Sequence, residues 1–465
     1  MTGRLPDGFV VRLNRHTRVI DDGAVLVGGS PTRISRLKPL ARRSIRGRVI
    51  TVTDAASRAL ADHLLATGMA DPVVDALPAA DLALATVVIP VRDRPRQLDR
   101  LLTSLGRALA VVVVDDASVD RRAVTAVAGR HGAEVLALET NAGPAGARNV
   151  GLAHVTTPFV VFIDSDVVVE PTAIETMLRH FADPGLAMVA PRVLGLESDR
   201  PNWITRYEDA RSSLDLGSDS SSVRPRSPVT WVSSTCLVAR VDALGSGFDA
   251  SMRVGEDVDL VWRLVDEGRR VRFEPAASVR HEHRSTVRAW LGRKFFYGTG
   301  AHPLAERHPD DIAPMVLPPW GAALLVVLAA QRRWSLPVAG VIAVATVVRI
   351  GRKASSVRHP YRLAVRLTGY GAIGAITQGF ALLLRHWWPL TAIGCLVSRR
   401  VRRAVVAATL ADIVVEFART RPRLDPVRFG VARRLDDAAY GAGVWWSAIG
   451  ARSTKALRPD LRRRH

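Results

Sequence analysis

Between residues 83 and 300 the chain alternates unbroken apolar runs with stretches whose apolar positions recur every three or four residues. "ATVVIPV", "AVVVVDDAS", "AEVLAL" and "FVVFIDSD" are short, β-branched and apolar throughout, the pattern of strands buried on both faces. "RPRQLDRLLTSLGRAL", a segment near 120–130 and another from Pro144 have helical spacing. Strands separated by helices predict an α/β fold with a doubly wound, mostly parallel sheet. Such sheets bind ligands beyond the carboxyl ends of their strands, where Asp93, Asp115, Asp116, Asn141, Asp164 and Asp166 fall.

Different patterns flank this region. In residues 1–78, "FVVRLNRHTRVIDDGAVLVGG" places two β-rich runs about an Asp-Asp-Gly turn, a hairpin signal. "TVTDAASRALADHLLATGMADP" opens at a Thr/Asp cap, puts Ala59, Leu60, His63 and Leu64 on one helical face, and closes at Gly68. Hairpin plus helix fits a small winged-helix-like module and equally an ordinary structural cap. Residues 301–465 are apolar, basic and helical, with uncharged stretches at 315–330, 335–348 and 367–384 flanked by Arg and Lys. The first two are shorter than the roughly 20 residues of a straight span, and the "QRRW" between them is a tight, charged turn. An in-plane or re-entrant hairpin, a true span and a buried helical subdomain all remain open. The serine-rich "SDSSSVRPRSP" at 218–228 reads as a mobile loop.

The formal charge of +21 and the pI near 11.3 imply an anionic partner. With 6% aromatics, no basic-aromatic alternation and no zinc-finger or RNA-binding signature, nucleic acid is disfavoured against a membrane surface or a phosphorylated substrate. Cys236 and Cys395 lie far apart in unrelated contexts, which argues against a disulfide framework and a thiolate metal site. The opening "MTGRLPDGFVV" lacks a secretory pattern, so the chain is expected to begin in the cytoplasm; with the apolar, basic third region, the expected location is the cell membrane with the catalytic region on its cytoplasmic face.

The acids carry the chemistry. Asp164 and Asp166 sit inside an apolar run, where an ionised carboxylate without a partner costs several kcal/mol or more. On an extended chain residues i and i+2 share a face, so the pair can converge on Mg²⁺ or Mn²⁺. "GEDVDLVWRLVDEG" at 255–268 places Glu256 and Asp257 at a helix start, where capping alone favours acids and where one of them can serve as general base. "ETNAGPAGARNVGLAHV" at 139–155 is a glycine-rich entry to a helix carrying Arg148, suited to a phosphate; neither a Walker loop nor a dinucleotide fingerprint is present. In "SVRHEHRS" at 278–285, His281 is the first choice for a metal-ligating imidazole and His283 the reserve.

Taken in order, "VVIPVRDRP", "VVVVDDAS", "NAGPAGARNVGL", "FIDSD" and "GEDVDLVWRL" resemble the family 2 nucleotide-sugar glycosyltransferases of GT-A fold over residues 83–300. The resemblance implies a donor site formed by Pro90, Val91, Arg92, Asp93, Asp116, Asn141, Gly143, Arg148 and Asp164, with Asp116 on the base or ribose. It further implies a metal held by Asp164 and Asp166, a shell that His281 can complete by the reading above, and Asp257 as catalytic base beside Glu256. Inverting transfer from a nucleotide sugar follows as an expectation. The Gln-x-x-Arg-Trp motif of processive members is absent; "WLGRKFFYG" at 290–298 stands in its place, which puts long processive synthesis in doubt.

The order of a small hairpin-helix module, "VIPVRDRPRQL", "NAGPAGARN" and a basic apolar tail bears a narrower resemblance to the glycosyltransferases of mycofactocin systems, and the opening module resembles the PqqD-type peptide-recognition fold. It implies UDP-glucose as donor, a small peptide-derived redox-cofactor precursor as acceptor, and a β-1,4-linked product. Two other functions remain open: transfer to a lipid-linked or envelope glycan, and a membrane-bound scaffold with a silent transferase domain.

Overall fold

The computed structural model describes residues 3–355 and 357–461, which fall into two compact units. The first runs to Asp199 and resumes over Ser212–His283; the second comprises Arg200–Arg211 and the chain from Arg284 onward.

The first unit opens with β1 (Val10–Leu13), β2 (Arg18–Ile20), β3 (Val25–Gly28), β4 (Arg33–Arg36), α1 (Pro39–Arg43), β5 (Val49–Thr51), α2 (Ala55–Thr67) and β6 (Ala70–Pro72). The expected hairpin is β2–β3, which turns on Asp21, Asp22 and Gly23, all at positive φ. The "FVVRL" run belongs elsewhere, as the centre of a second three-stranded sheet in the order β5-β1-β6. Helix α2 starts at a capping box between Asp54 and Ser57 and stops at left-handed Gly68. Its buried face is Ser57, Leu60, Ala61, Leu64 and Leu65, whereas Ala59 and His63 are exposed. The apolar positions one residue on from the expected face are the ones that meet the β1 sheet. A pair of three-stranded sheets is more than the winged-helix-like expectation contains.

The rest of this unit contains β7 (Ala85–Val91), α3 (Pro95–Leu105), β8 (Ala110–Asp115), α4 (Arg121–Arg130), β9 (Glu134–Ala137), α5 (Gly143–His154), β10 (Phe159–Ile163), β11 (Val167–Val168), α6 (Pro171–Arg179) and β12 (Leu186–Gly195). After α7 (Trp203–Arg211), which belongs to the second unit, come β13 (Ser221–Val223), β14 (Cys236–Arg240), α8 (Glu256–Asp266) and β15 (Arg270–His281). Nine strands make one sheet in the order β11-β15-β12-β14-β10-β7-β8-β9, with β13 added on β15. The block from β10 through β7 and β8 to β9 is parallel, as the apolar runs predict. Beyond it β14 pairs antiparallel with both β10 and β12, so the sheet is mixed. Helix α5 lies close on this sheet: a Cβ at Gly151 would come within 2.3 Å of Val88 Cγ1.

The serine-rich segment is fixed in place. Ser221–Val223 forms β13, Ser220 Oγ donates to Glu274, and Arg224 donates to the Ala66 carbonyl at 2.7 Å. The early module and the large sheet are further joined by ion pairs of Arg272 with Asp71 and of Arg270 with Asp62 (2.7 Å); Arg270 also pairs with Asp183 (2.9 Å), on its own side of that junction.

The second unit adds α9 (Val287–Thr299), α10 (Ala301–Arg307), α11 (Pro319–Ala329), α12 (Ser335–Lys353), α13 (Pro360–Ala381), α14 (Trp388–Val397), α15 (Arg399–Thr420) and α16 (Pro426–Gly450). It begins earlier than the expected 301. In "WLGRKFFYG", Trp290 and Lys294 are both buried on Glu208: Trp290 Nε1 donates to it at 2.9 Å and Lys294 Nζ pairs with it at 2.9 Å. Helices α12 and α13 extend beyond the apolar stretches expected for them, and α13 continues through a π turn to His386. By length and composition both could cross a membrane, yet only 17% of the most apolar window of each is buried, which removes the buried-subdomain reading for them. Of the basic tail, residues 462–465 lie outside the described residues.

Helices α9 and α16 cross at glycines. A Cβ at Gly443 would come within 2.0 Å of the Phe295 carbonyl, and one at Gly298 within 2.1 Å of the Tyr440 carbonyl. Backbone cannot yield as a side chain can, so Gly443→Ala should destabilise the protein by about 2–3 kcal/mol. Gly450, with open space around its Cα, provides the control: Gly450→Ala should be neutral or slightly stabilising in thermal unfolding.

Candidate active site

At or just beyond the carboxyl ends of β7, β8, β9 and β10 lie Pro90–Asp93, Asp116, Asn141, Asp164 and Asp166; Arg148 is on α5, Glu256 and Asp257 on α8, and His281 on β15. Pro90 and Val91 close β7, with Arg92 and Asp93 just beyond them. Asp93 sits at φ +56°, its amide donating to Ser118 Oγ and its Oδ1 accepting from the Val119 amide at 2.7 Å. Asp116 Oδ1 accepts from the Ala142 amide at 2.6 Å, and Asn141 Oδ1 from the amide of Gly143, which is at φ +73°. Side chains expected to face a nucleotide therefore also tie the strand-end loops to one another.

Asp115 gained no role from the sequence beyond its place at a strand end. It is 1% exposed; its Oδ1 accepts from the Ser118 amide, and its Oδ2 has no hydrogen-bond partner among the described residues. A buried acceptor left unmet is uncommon and marks a place for a donor group.

Arg148 organises the centre. Carried into the core by α5, it is 2% exposed, with Nη2 on Asp164 Oδ1 at 2.5 Å and Nη1 on Glu256 Oε1 at 3.2 Å. Burial weakens its hold on the proton, but the charges of Asp164 and Glu256 outweigh that, and its pKa is raised. Both Nη atoms being engaged by carboxylates, Arg148 is a strut between the end of β10 and the start of α8, where a phosphate-binding role had been expected.

The Asp164–Asp166 pair also departs from expectation. Strand β10 ends at Ile163, and the pair lies in a turn in which the Val167 amide donates to the Asp164 carbonyl at 3.2 Å. The two acids separate because each meets its own cation. Asp164 turns to Arg148, while Asp166, 5% exposed, receives Arg94 on Oδ2 and lies 3.5 Å from His281 Nε2 through Oδ1. The three expected metal ligands thus do not converge, and among the described residues no group of three or more His, Cys, Asp or Glu side chains is poised for a metal. The Asp166 oxygen and the His281 nitrogen still suit a hard or borderline cation that keeps waters and takes its remaining ligands from substrate phosphates. His281 forms the last residue of β15, pairing with Val167 of β11; His283 lies beyond the strand. Arg94 was missed, though it stands just past a strand end and just before the Pro95 that opens α3.

Helix α8 begins where the sequence predicts, at Glu256, after Gly255 at φ +81°. Asp257 accepts from the Ser234 amide at 3.3 Å and from the Val258 amide at 2.8 Å. Burial and the neighbouring Glu256 charge push its carboxyl up, those two amides and Arg148 pull it back, and it comes to rest at about 7. A carboxyl so placed can exchange a proton near neutral pH.

The family model described as glycosyl transferase family 2 matches residues 86–244. Over 480 aligned residues, 99% of each chain, the protein is 42% identical to the pre-mycofactocin glycosyltransferase of Mycobacterium tuberculosis (strain ATCC 25618 / H37Rv). It is 29% identical to the succinoglycan biosynthesis protein ExoO of Rhizobium meliloti (strain 1021) over 45% of this chain and 62% of that one. Among solved structures, a Pyrobaculum calidifontis mannosyltransferase in complex with GDP-Man and Mn²⁺ aligns over 64% of this chain and 88% of its own, with 19% identity and a TM-score of 0.38. A nearly full-length relative at this identity, together with the matched domain, settles kinship: the chain belongs to the pre-mycofactocin glycosyltransferases, carrying a family 2 glycosyl transferase domain.

Proposed function

We propose that the protein transfers glucose from UDP-glucose to pre-mycofactocin, a peptide-derived redox-cofactor precursor, with inversion, and extends the product as a β-1,4-linked chain. The observation that carries this reading is the double ion pair of Arg148, which brings Asp164 at the end of β10 together with Glu256 beside Asp257. The acceptor is suggested by what the 42% identical relative is named for. Residues 83–300 hold the transfer chemistry, residues 1–78 receive the peptide, and residues 301–465 hold the protein at the cell membrane with its catalytic unit on the cytoplasmic face. The last point draws on the exposed apolar helices α12 and α13.

In this mechanism Asp257 takes the proton of an acceptor hydroxyl as that oxygen forms a bond to the anomeric carbon. The bond from that carbon to the diphosphate breaks, and the nucleoside diphosphate leaves with the electron pair; an α donor gives a β product. The loops bearing Asp93, Asp116 and Asn141 bound the nucleotide, and the unmet oxygen of Asp115 accepts a donor hydrogen there. Mg²⁺ or Mn²⁺ held by Asp166 and His281, next to Asp164, would supply positive charge against the diphosphate. Arg148 keeps Asp164 and Glu256 in register and leaves Asp257 free to titrate.

A second reading, transfer to a lipid-linked or envelope glycan, is favoured by the exposed apolar helices. Metabolite mass spectrometry of a deletion strain separates the two, since only the first lets unglycosylated precursor accumulate.

With purified full-length protein, a nucleotide-sugar screen against the precursor, read by mass, should give products spaced by one hexose; no mass gain with any donor would end the proposal. Asp257→Asn should lower transfer by about 10²- to 10⁴-fold with donor affinity kept, as titration calorimetry would report. Because the base works as carboxylate and its pKa is raised to about 7, kcat/KM for the native protein should climb as pH rises through about 7 and level off above it. Arg148→Met should leave two acids without their shared cation and cost about 3–5 kcal/mol in denaturant unfolding, a loss that Arg148→Lys only partly restores.

A further inference from the structure

Sugar transfer leaves one constellation of the second unit unused. The turn between α11 and α12 meets the turn between α14 and α15: Gln331 Nε2 donates to the Arg400 carbonyl at 2.8 Å. Helices α14 and α15 fold tightly on each other, with a Cβ at Gly394 placed 3.3 Å from Val401 Cγ1 and Arg402 Nη1 donating to the Cys395 carbonyl at 2.7 Å. One turn reads "QRRW" and the other "LVSRRVRR", so their contact gathers Arg332, Arg333, Arg399, Arg400, Arg402 and Arg403, all exposed. None of the six forms an ion pair among the described residues. Beside them stand large apolar side chains that water touches: Trp334 at 47%, Leu336 at 75%, Leu396 at 81% and Val397 at 84% exposure.

Six like charges on two touching turns repel one another wherever they lie within the roughly 8 Å screening length of physiological salt. A sheet of anions would relieve that repulsion, and the apolar neighbours call for a layer that is oily just beneath its charge. Arginine beside tryptophan is the chemistry of the headgroup zone, with long cationic side chains reaching to phosphate. The helices leading in have the matching length. Helix α11 has 11 residues and α14 has 10, each roughly 15 Å long and about half of a hydrocarbon core. Neither carries its arginine-bearing turn across to an opposite leaflet.

We propose that the paired turns at Gln331–Trp334 and Leu396–Arg403 form a binding site for anionic phospholipid headgroups. This rests on the membrane reading above and adds the charge of the lipid and the residues that read it. Its test is flotation of the full-length protein with vesicles of phosphatidylcholine alone or of phosphatidylcholine mixed with phosphatidylglycerol. The native chain should favour the phosphatidylglycerol vesicles by roughly tenfold or more, a preference that shrinks as salt is raised. Replacing Arg399, Arg400 and Arg403 with Gln should erase most of that preference and leave capture by neutral vesicles intact. Arg332→Gln with Arg333→Gln, on the other turn, should act in the same direction. Equal flotation with both lipids, or triple and double variants that float like the native chain, would overturn the headgroup site and leave the membrane reading standing. Failure to float with either lipid would overturn both.

Discussion

A single buried guanidinium holds the catalytic unit in working order. Arg148 is enclosed by protein, and two carboxylates from segments far apart in sequence share it. Buried charge is tolerated only when paired and hydrogen-bonded, so the end of β10, the first half of α5 and the first turn of α8 must be in place together or not at all. The neighbouring acids behave differently as a result. Asp164 and Glu256 are matched by Arg148, whereas Asp257 is held mainly by backbone amides and sits at a proton affinity useful near neutrality. The residue that clamps the segments together and the carboxyl whose proton affinity is raised are therefore different side chains.

Much of this could be read from the chain before its fold. The parallel strands of the large sheet, α5 after the glycine-rich turn, and the start of α8 at Glu256 follow from local pattern: apolar runs of strand length, glycines that admit a tight entry, acids at a helix start. What stayed hidden depends on partners distant in sequence. Arg94 reaches Asp166 across 72 positions and Arg148 reaches Glu256 across 108; the glycine-rich helix entry marks Arg148 as a candidate, but nothing local names the carboxylates that either arginine meets. At Asp164–Asp166 a turn was the alternative to a converging pair, and the structure has the turn. Alternation on an extended strand places two acids on one face, whereas in the turn Asp164 meets Arg148 and Asp166 meets Arg94 and His281.

The flanking regions taught the same lesson about scale. Helix α2 and the β2–β3 turn rest on capping and on positive-φ residues, which are local; the assignment of β1 to the centre of a second sheet is not. In the second unit the exposed faces of α12 and α13 follow from composition. The role of Trp290 and Lys294 as partners of Glu208 needed α7, a short insertion within the preceding region, to be recognised as part of that unit.

The ion pair of Arg272 with Asp71 bears on how this protein can be handled at the bench. Arg272 is 4% exposed and lies on β15, inside the transferase sheet, while its counterion belongs to β6 of the opening module. Expression of residues 83–300 alone would strip a cation of its cover and release the β13 segment from the Ala66 carbonyl. Gene fusions and minimal fragments meet the same obstacle, because a boundary between sequence patterns at 78–83 is not a seam in the protein.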